Sequence, residues 1–363
     1  MRAYFPHLDG LRGLAALYVV IHHAFLLCAQ VFPIRAKNNL TDGLLYGHLA
    51  VDIFIVLSGF CLALPEKATD AKVFYLKRAR RILPAYLAIV AASVAHTLFW
   101  NGGPLDFRAL GLHGLLLQDV FPETIVAFNQ PLWSVAVEWK IYFLFPALLW
   151  LLAKPRGLAL VLAATAIIGY GLTRIFMLSG KSVAELGHTC PWYVFLFGMG
   201  VCTGWLTSRW HGERKRLAVV VLALLSGLLL VGLLFIFPME HTEADLARAF
   251  PVIDPVTAIL TAACLALWHH KPPKLLTVRP VVFCGTIAYS IYLIHFPILE
   301  ILAKKVIKPL LSNASQELQT LALLGLGLPL VLGAAWVSWR LFERPFQRST
   351  SASQNVLGRQ WHG

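Results

Sequence analysis

The sequence predicts an all-α fold, a polytopic transmembrane helical bundle of about ten spanning helices with both termini in the cytosol. Of its 363 residues, 58% are hydrophobic and only 13% are charged, whereas soluble globular proteins carry about 25% charged residues. Long uninterrupted apolar runs such as 217–237 have the length of spanning helices. A membrane β-barrel would instead have alternating segments of about 10 residues. The composition therefore excludes a soluble enzyme and a disordered chain.

Ten apolar stretches of about 20 residues are each long enough to cross a bilayer. They cover residues 11–31, 46–64, 82–100, 132–153, 158–178, 190–207, 217–237, 252–268, 281–303 and 319–341. The first has no small-residue cleavage site after it, so we expect a helix that stays in the protein rather than a signal peptide. A shorter apolar stretch at 109–120 indicates a re-entrant or interfacial piece.

The distribution of Lys and Arg predicts the orientation of the bundle. Most of the 31 basic residues fall in the termini and in the loops on the same side as the termini, which the positive-inside rule assigns to the cytosol. Residues 1–346 then form one membrane domain surrounded by lipid, and 347–363 form a polar cytosolic tail. The net charge is +13, but the basic residues do not form the stripe with interleaved aromatics that is typical of a nucleic-acid binder. The cysteines lack metal-type spacing, so no metal is expected.

Arg12 and His23 are the first informative pair, because ionisable residues inside membrane spans are costly and often functional. They are 11 positions apart, which puts them on one helix face with a rise of about 16 Å. Arg12 then lies at the cytosolic mouth, His23 lies in the outer half, and His22 points about 100° away. Two other interpretations stay open, a topology anchor for Arg12 and a packing histidine for His23.

Further ionisable side chains interrupt later spans. Counted at 1.5 Å per residue from the span edges, His23, Glu138 and His295 have similar depths in the outer half. Asp52 adds a carboxylate, either in this group or at the outer interface. A histidine beside a carboxylate is suited to deprotonating a hydroxyl. His295 could equally be a core histidine before a proline.

Cationic residues gather at the opposite, cytosolic mouth. Arg12 lies there with Arg78, Arg80 and Arg81 at the start of the third span, and arginine is suited to binding phosphates. A long molecule with phosphates at one end and a reactive group at the other would span the gap to His23.

Six motifs in this chain resemble the acyltransferase-3 family of integral membrane acyltransferases, over nearly the whole chain and in family order. The motifs are LDGLRGLAALYVVIHH, VDIFIVLSGF, RRILPAY, PLWSVAVEWKIYF, YSIYLIHFP and FERPF. The resemblance implies a bundle of about ten helices, acetyl-CoA or another short acyl-CoA as cytosolic donor, and a carbohydrate or glycolipid acceptor on the outer side. It also implies the inner membrane of a bacterium.

The family's motif positions can be carried over residue by residue. Its Arg-(ten residues)-His element falls on Arg12 and His23, its Ser-Gly-Phe element starts at Ser58, and its Trp-Ser-(three residues)-Glu element falls on Trp133, Ser134 and Glu138. Where many members have a second acidic residue after that glutamate, this chain has tryptophan. Some members carry a fused hydrolase-like domain, and at this length we expect none here.

These observations lead to one mechanistic expectation. His23 acts as general base or transient acyl carrier, Glu138 or Asp52 orients it, and Arg12, Arg78 and Arg81 bind the CoA phosphates. Ser58, Trp133, Ser134 and His295 are expected to support the substrate or the local structure. A proton-coupled transporter and a non-catalytic assembly component are the alternatives. The sequence does not specify the acceptor, the acyl group or the oligomeric state.

Overall fold

The computed structural model describes residues 5–29, 40–64, 70–101, 104–179, 189–209, 216–236 and 243–346, and every regular element in these ranges is helical. The predicted polar tail, residues 347–363, lies outside the described residues.

The helices follow the predicted spans closely. In chain order they are α1 (Pro6–Leu27), α2 (His48–Ala63), α3 (Ala71–His96), α4 (Phe107–Gly114), α5 (Pro122–Ile125), α6 (Leu132–Tyr142), α7 (Phe145–Leu152), α8 (Gly157–Leu178), α9 (Tyr193–Thr207), α10 (Arg216–Ile236), α11 (Glu243–His270), α12 (Arg279–Thr286), α13 (Ala288–Leu302), α14 (Lys308–Leu310) and α15 (Gln316–Ser338). Each of the ten predicted spans therefore has a helix, and 109–120 forms the short α4 and a 3₁₀ turn.

Length separates these helices into two groups. Six helices are long and apolar enough to cross a membrane, and the number rises to eight if each of two bent pairs counts as one span. α2 and α9 have only 16 and 15 residues, so each rises about 23 Å against a hydrocarbon core of about 30 Å. The structure thus supports a multi-pass helical bundle, while ten crossings and cytosolic termini stay predictions.

Two helix pairs are bent, and a proline follows the break in the first of them. α6 and α7 meet at 45°, and Pro146 lies in the first turn of α7. α12 and α13 meet at 78° around Ile287, whereas Pro280 lies at the opposite end of α12. Proline has no N–H for the preceding turn, so it favours a helix start over a helix interior. The first break ends α6 directly after Tyr142.

The N-terminal helix is packed against α12, α13, α2 and α15. Its contact with α12 is made backbone to backbone, because a Cβ on Gly285 would lie 1.8 Å from the Asp9 carbonyl oxygen. α1 and α2 run antiparallel, since Arg12 contacts Cys61 near one end and His22 contacts Gly47 near the other. Residues of α1 and α2 on the same level can therefore face one cavity.

A second glycine contact joins α2 to α9. A Cβ on Gly200 would lie 2.1 Å from the Val56 carbonyl oxygen, and one on Gly204 would lie 2.4 Å from the Phe60 carbonyl oxygen. Small residues at these positions let the two backbones touch, which is the usual way helices associate in membranes. This contact fixes α2, the helix that carries Ser58 and Cys61.

Gly200→Ala should destabilise the protein, because the new methyl group would push α9 away from the α2 backbone. Overpacking of this kind costs about 1–3 kcal/mol, so the thermal midpoint in detergent should fall by several degrees. Gly232→Ala is the matched control, since no described atom lies within 4 Å of its Cβ position. Equal midpoints for the two variants would show that the α2–α9 contact is not close.

Candidate functional site

A cavity of about 220 Å³ lies between α1, α2, α3, α6 and α13. Six of the residues singled out from the sequence line it, namely Arg12, Ser58, Arg78, Arg81, Ser134 and Glu138. Along α2, its lining runs from Leu62 back to Val51, a distance of about 16 Å at 1.5 Å per residue. The cavity is therefore elongated along the helix axes.

Three arginines occupy one end of this cavity. The Arg12 guanidinium donates to Asp9 at 2.7 Å and lies 3.8 Å from the Cys61 sulfur. The Arg78 guanidinium lies over the Tyr142 ring at 5.9 Å, a geometry in which the ring face attracts the cation. Arg81 lies one turn further along α3 and lines the same cavity. The carboxylates of Asp9 and Glu138 lie near these three arginines, so this end keeps an excess of positive charge.

Glu138 lies at the arginine end, where it accepts a hydrogen bond from the Tyr142 hydroxyl. The same hydroxyl lies 2.6 Å from Ser58 Oγ. The sequence-based depth of Glu138 was wrong, because that count put the start of α6 at the outer edge of the membrane. α6 does begin at Leu132, but the Pro131 carbonyl oxygen accepts from Tyr292, so the helix starts near the level of His295. Glu138 lies six residues further along and is level with the arginines.

The other end of the cavity is closed by a tyrosine and a serine. Tyr292 and Ser134 both line the cavity, and their hydroxyl oxygens lie 2.6 Å apart. Tyr292 also donates to the Pro131 carbonyl oxygen at 3.1 Å. These bonds fix the start of α6 against α13. The Tyr292 ring in turn contacts the His295 ring, with centroids 5.8 Å apart.

His295 and His23 form a directed hydrogen-bond chain behind Tyr292. His295 Nδ1 lies 2.8 Å from the Tyr292 carbonyl oxygen, and a carbonyl can only accept, so Nδ1 is the donor. In a neutral ring the opposite nitrogen then accepts, and His295 Nε2 lies 3.1 Å from His23 Nδ1. His23 therefore donates through Nδ1, which also lies 3.1 Å from the Val19 carbonyl oxygen, and its Nε2 keeps a lone pair. Such a nitrogen can take up a proton or attack a carbonyl.

The partner of His23 differs from the expected one. Among the described residues neither Glu138 nor Asp52 bonds to it, and His295 takes the orienting place instead. α1 begins at Pro6, five residues before the predicted span, so His23 lies about 25 Å along the helix. That puts it beside α13 and beyond the level of Glu138.

Asp52 belongs to a separate buried cluster. His48 Nε2, one turn before it on α2, lies 3.8 Å from Asp52 Oδ1 and 2.9 Å from Asp254 Oδ2. The Trp133 ring stacks parallel to the His48 ring at 6.0 Å. Asp52 and Trp133 thus contact this cluster rather than His23. The cluster borders the start of α6, next to Ser134.

Sequence reasoning missed several polar residues that the structure brings together. Tyr142 follows Glu138 by four positions and His48 precedes Asp52 by four, a spacing that puts both pairs on one helix face. Asp254 is a carboxylate inside the predicted span 252–268, and a carboxylate inside a span is by itself a candidate functional residue. Asp119, by contrast, lies in a short apolar stretch where nothing in the sequence indicates its partner.

Asp119 pairs with Lys140, the one basic residue that the sequence puts inside the fourth span. The Asp119 side chain is fully buried, and 32% of the Lys140 side chain is exposed. Burial raises the pKa of Asp119, and the nearby ammonium group opposes that shift. This ion pair holds the 104–131 segment against α6.

Comparison with known proteins gives a family match over most of the chain. Residues 5–340 match the family model described as an acyltransferase domain. YrhL of Bacillus subtilis, whose name provisionally calls it a peptidoglycan O-acetyltransferase, is 26% identical over 82% of this chain and 49% of its own length. The O-acetyltransferase OatA of Staphylococcus aureus is 25% identical over 82% of this chain and 51% of its own length.

A third relative is the peptidoglycan O-acetyltransferase OatA of Listeria monocytogenes, 23% identical over 83% of this chain and 50% of its own length. The chain thus spans about half the length of these curated relatives. No solved structure matches this chain.

Lys140→Met should destabilise the protein because it leaves the Asp119 carboxylate buried without its cation. Breaking a buried pair from one side costs about 3–5 kcal/mol, whereas replacing both charges is often neutral. The double variant Asp119→Asn/Lys140→Met should therefore unfold at a higher temperature than Lys140→Met alone.

Lys304→Met is the matched control for this cycle, since Lys304 pairs with Glu300 but is 63% exposed, and exposed pairs contribute little. If Lys140→Met and Lys304→Met had the same thermal midpoint, the Asp119–Lys140 pair would not stabilise the fold.

Proposed function

The chain belongs to the acyltransferase-3 family, and from this premise we propose that it transfers an acyl group, most simply acetyl, from cytosolic acyl-CoA to a carbohydrate hydroxyl across a bacterial cytoplasmic membrane. The observation that carries the proposal is the elongated cavity with three arginines at one end and the Tyr292–His295–His23 chain beyond the other.

The donor binds with its phosphates at the arginine end. Arg12, Arg78 and Arg81 offer up to fifteen N–H donors among them. Asp9 and Glu138 offset part of their charge and leave an excess of positive charge. Guanidinium groups bind phosphate oxygens in pairs of parallel hydrogen bonds. The pantetheine arm then extends along α2 from Leu62 toward Val51, between apolar side chains such as Ile55. This orientation carries the thioester toward Tyr292.

The reaction is acyl transfer assisted by His23. Its Nε2 lone pair takes the proton of the acceptor hydroxyl, the oxygen attacks the thioester carbonyl, and the CoA thiolate leaves and is protonated. In the second version Nε2 itself attacks the thioester, and the acyl-imidazole then passes its acyl group to the hydroxyl. His295 and the Val19 carbonyl oxygen hold the tautomer of His23 in both versions, and His295 also orients its ring.

Glu138 acts at the donor end in this account. Its carboxylate fixes the Tyr142 hydroxyl, and Tyr142 supports Arg78 through its ring and Ser58 through its hydroxyl. Glu138 is therefore a positioning residue for the arginines. Ser134 has the corresponding role for Tyr292.

The acceptor is a carbohydrate of the cell-envelope type. The names of the relatives refer to peptidoglycan, and a glycan hydroxyl fits a histidine base. A glycolipid that presents a sugar at the membrane surface fits the same chemistry, because it offers the same kind of hydroxyl. The cytosolic donor and outer acceptor follow from the predicted orientation of the bundle.

His23→Ala should reduce acetyl transfer by about 10²-fold or more, because general-base assistance contributes about 10²–10⁴-fold, while acetyl-CoA binding should persist. The measurement is release of free CoA from acetyl-CoA by protein in nanodiscs, with a cell-envelope glycan extract as acceptor. His295→Ala should lower turnover by a smaller factor, because His23 loses the side chain that orients its ring while the Val19 carbonyl oxygen still accepts from Nδ1.

His22→Asn is the matched control on the same helix, since the Asn amide can replace the contact of His22 Nδ1 with the Leu44 carbonyl oxygen. Full turnover in a folded His23→Ala protein would remove His23 from the chemistry. Substrate uptake without any CoA release would favour a transporter instead.

Arg78→Gln and Arg81→Gln should each weaken acetyl-CoA binding by about tenfold, the equivalent of about 1.4 kcal/mol for lost charged hydrogen bonds. Isothermal titration with CoA measures the effect directly and does not require an acceptor. Arg80→Gln is the control, because Arg80 belongs to the same basic run but does not line the cavity. A larger loss in Arg80→Gln than in the other two would mean that the phosphates bind elsewhere.

A further inference from the structure

A buried cluster of His48, Asp52 and Asp254 lies outside the cavity and has no part in the chemistry described above. The nitrogen and carboxylate oxygens of these three side chains lie within 4.8 Å of one another. Both aspartate side chains are fully buried, whereas 12% of the His48 side chain remains exposed. The cluster joins α2 to α11, and Tyr193 at the start of α9 completes it.

The hydrogen bonds available within this cluster cannot satisfy it. His48 Nε2 faces Asp254 Oδ2 at 2.9 Å, the Tyr193 hydroxyl at 2.9 Å and Asp52 Oδ1 at 3.8 Å. A ring nitrogen offers one proton or one lone pair and can serve one such contact well. Among the described residues, both oxygens of Asp52 and Oδ1 of Asp254 accept no hydrogen bond.

Positive charge is also lacking in this cluster. Two buried carboxylates face a single imidazole, and the Trp192 N–H that bonds Asp254 Oδ2 at 2.6 Å brings no charge. A buried carboxylate without a partner is costly. Several groups that converge on one point, each with a lone pair directed inward, are what a cation requires.

We infer that His48, Asp52 and Asp254 bind a divalent cation of the zinc class, with the Tyr193 hydroxyl as the fourth ligand. Zinc takes imidazole nitrogen and carboxylate oxygen at about 2.0–2.2 Å, so tetrahedral ligand atoms lie about 3.3 Å apart. The distances of 2.9 and 3.8 Å from His48 Nε2 bracket this value. The bond from Trp192 to Asp254 holds that carboxylate in place, as second contacts do around metal ligands.

The bound ion would act as a clamp between three helices. It joins α2, the start of α9 and α11, and the His48 ring lies stacked between Phe250 at 3.7 Å and Trp133 at 6.0 Å. Trp133 precedes Ser134, which lines the cavity. The ion thereby fixes the start of α6. Loss of the ion should first lower the thermal stability of the protein.

The test is zinc binding by the full chain, purified in detergent without a histidine tag. The protein is stripped with EDTA, equilibrated with buffered Zn²⁺, and analysed for bound metal by mass spectrometry and for its thermal midpoint. We expect about one zinc per chain and a midpoint several degrees higher with zinc than with EDTA. Asp52→Asn and Asp254→Asn should each lose the ion, and Asp70→Asn, which changes an exposed helix cap, should keep it.

Two results would overturn the inference. One is a folded wild-type protein that binds less than about a tenth of an equivalent of zinc with no change in midpoint. The other is an X-ray absorption spectrum of bound zinc that contains sulfur or more than one imidazole, since this cluster supplies one nitrogen with oxygens. The spectrum uses wild-type protein and decides the matter even if the aspartate variants do not fold.

Discussion

The constraint on which this structure depends is that polar groups buried among apolar helices must bond to one another. There is little water inside the bundle, so each polar side chain has a fixed partner or costs free energy. The hydrogen bond to the Tyr292 carbonyl oxygen shows how one such partner determines the next. It makes His295 Nδ1 a donor, which makes His295 Nε2 an acceptor for His23 Nδ1, and the Val19 carbonyl oxygen favours the same tautomer of His23.

Because of this constraint the polar residues form two groups, one around the three arginines and one around Tyr292 and the two histidines. Tyr142 links Glu138 with Ser58 at one end, and Tyr292 links Ser134 with His295 at the other. Both tyrosines line the cavity, so the apolar space between them is bounded by polar groups that are already satisfied. An extended molecule with an anionic head and a reactive tail suits this space.

The sequence predicts the helices well and the contacts between them poorly. Apolar runs locate a helix in each predicted span, although α3 begins 11 residues and α11 nine residues before the predicted edge. The helix period puts Arg12 and His23 on one face. The level of Glu138 could not be predicted, because it depends on α6 starting beside Tyr292 rather than at the membrane edge. The contact of His23 with His295 joins residues 272 positions apart, and no local pattern encodes such a pair. Asp52 and Asp254 show the same limit. The sequence identifies each as a charged residue inside a span, but it does not reveal which residues contact them.

The central claim is that acyl-CoA lies along the cavity with its acyl group next to the histidine pair. The most direct measurement is photocrosslinking with an acyl-CoA that carries a diazirine in its acyl chain, followed by peptide mapping of the wild-type protein. The account predicts labels on α13 around Tyr292 and His295 or on α1 near His23, and excess CoA should abolish them. Labels confined to α3 around Arg78 and Arg81, with the same competition by CoA, would put the acyl group at the wrong end and contradict the account.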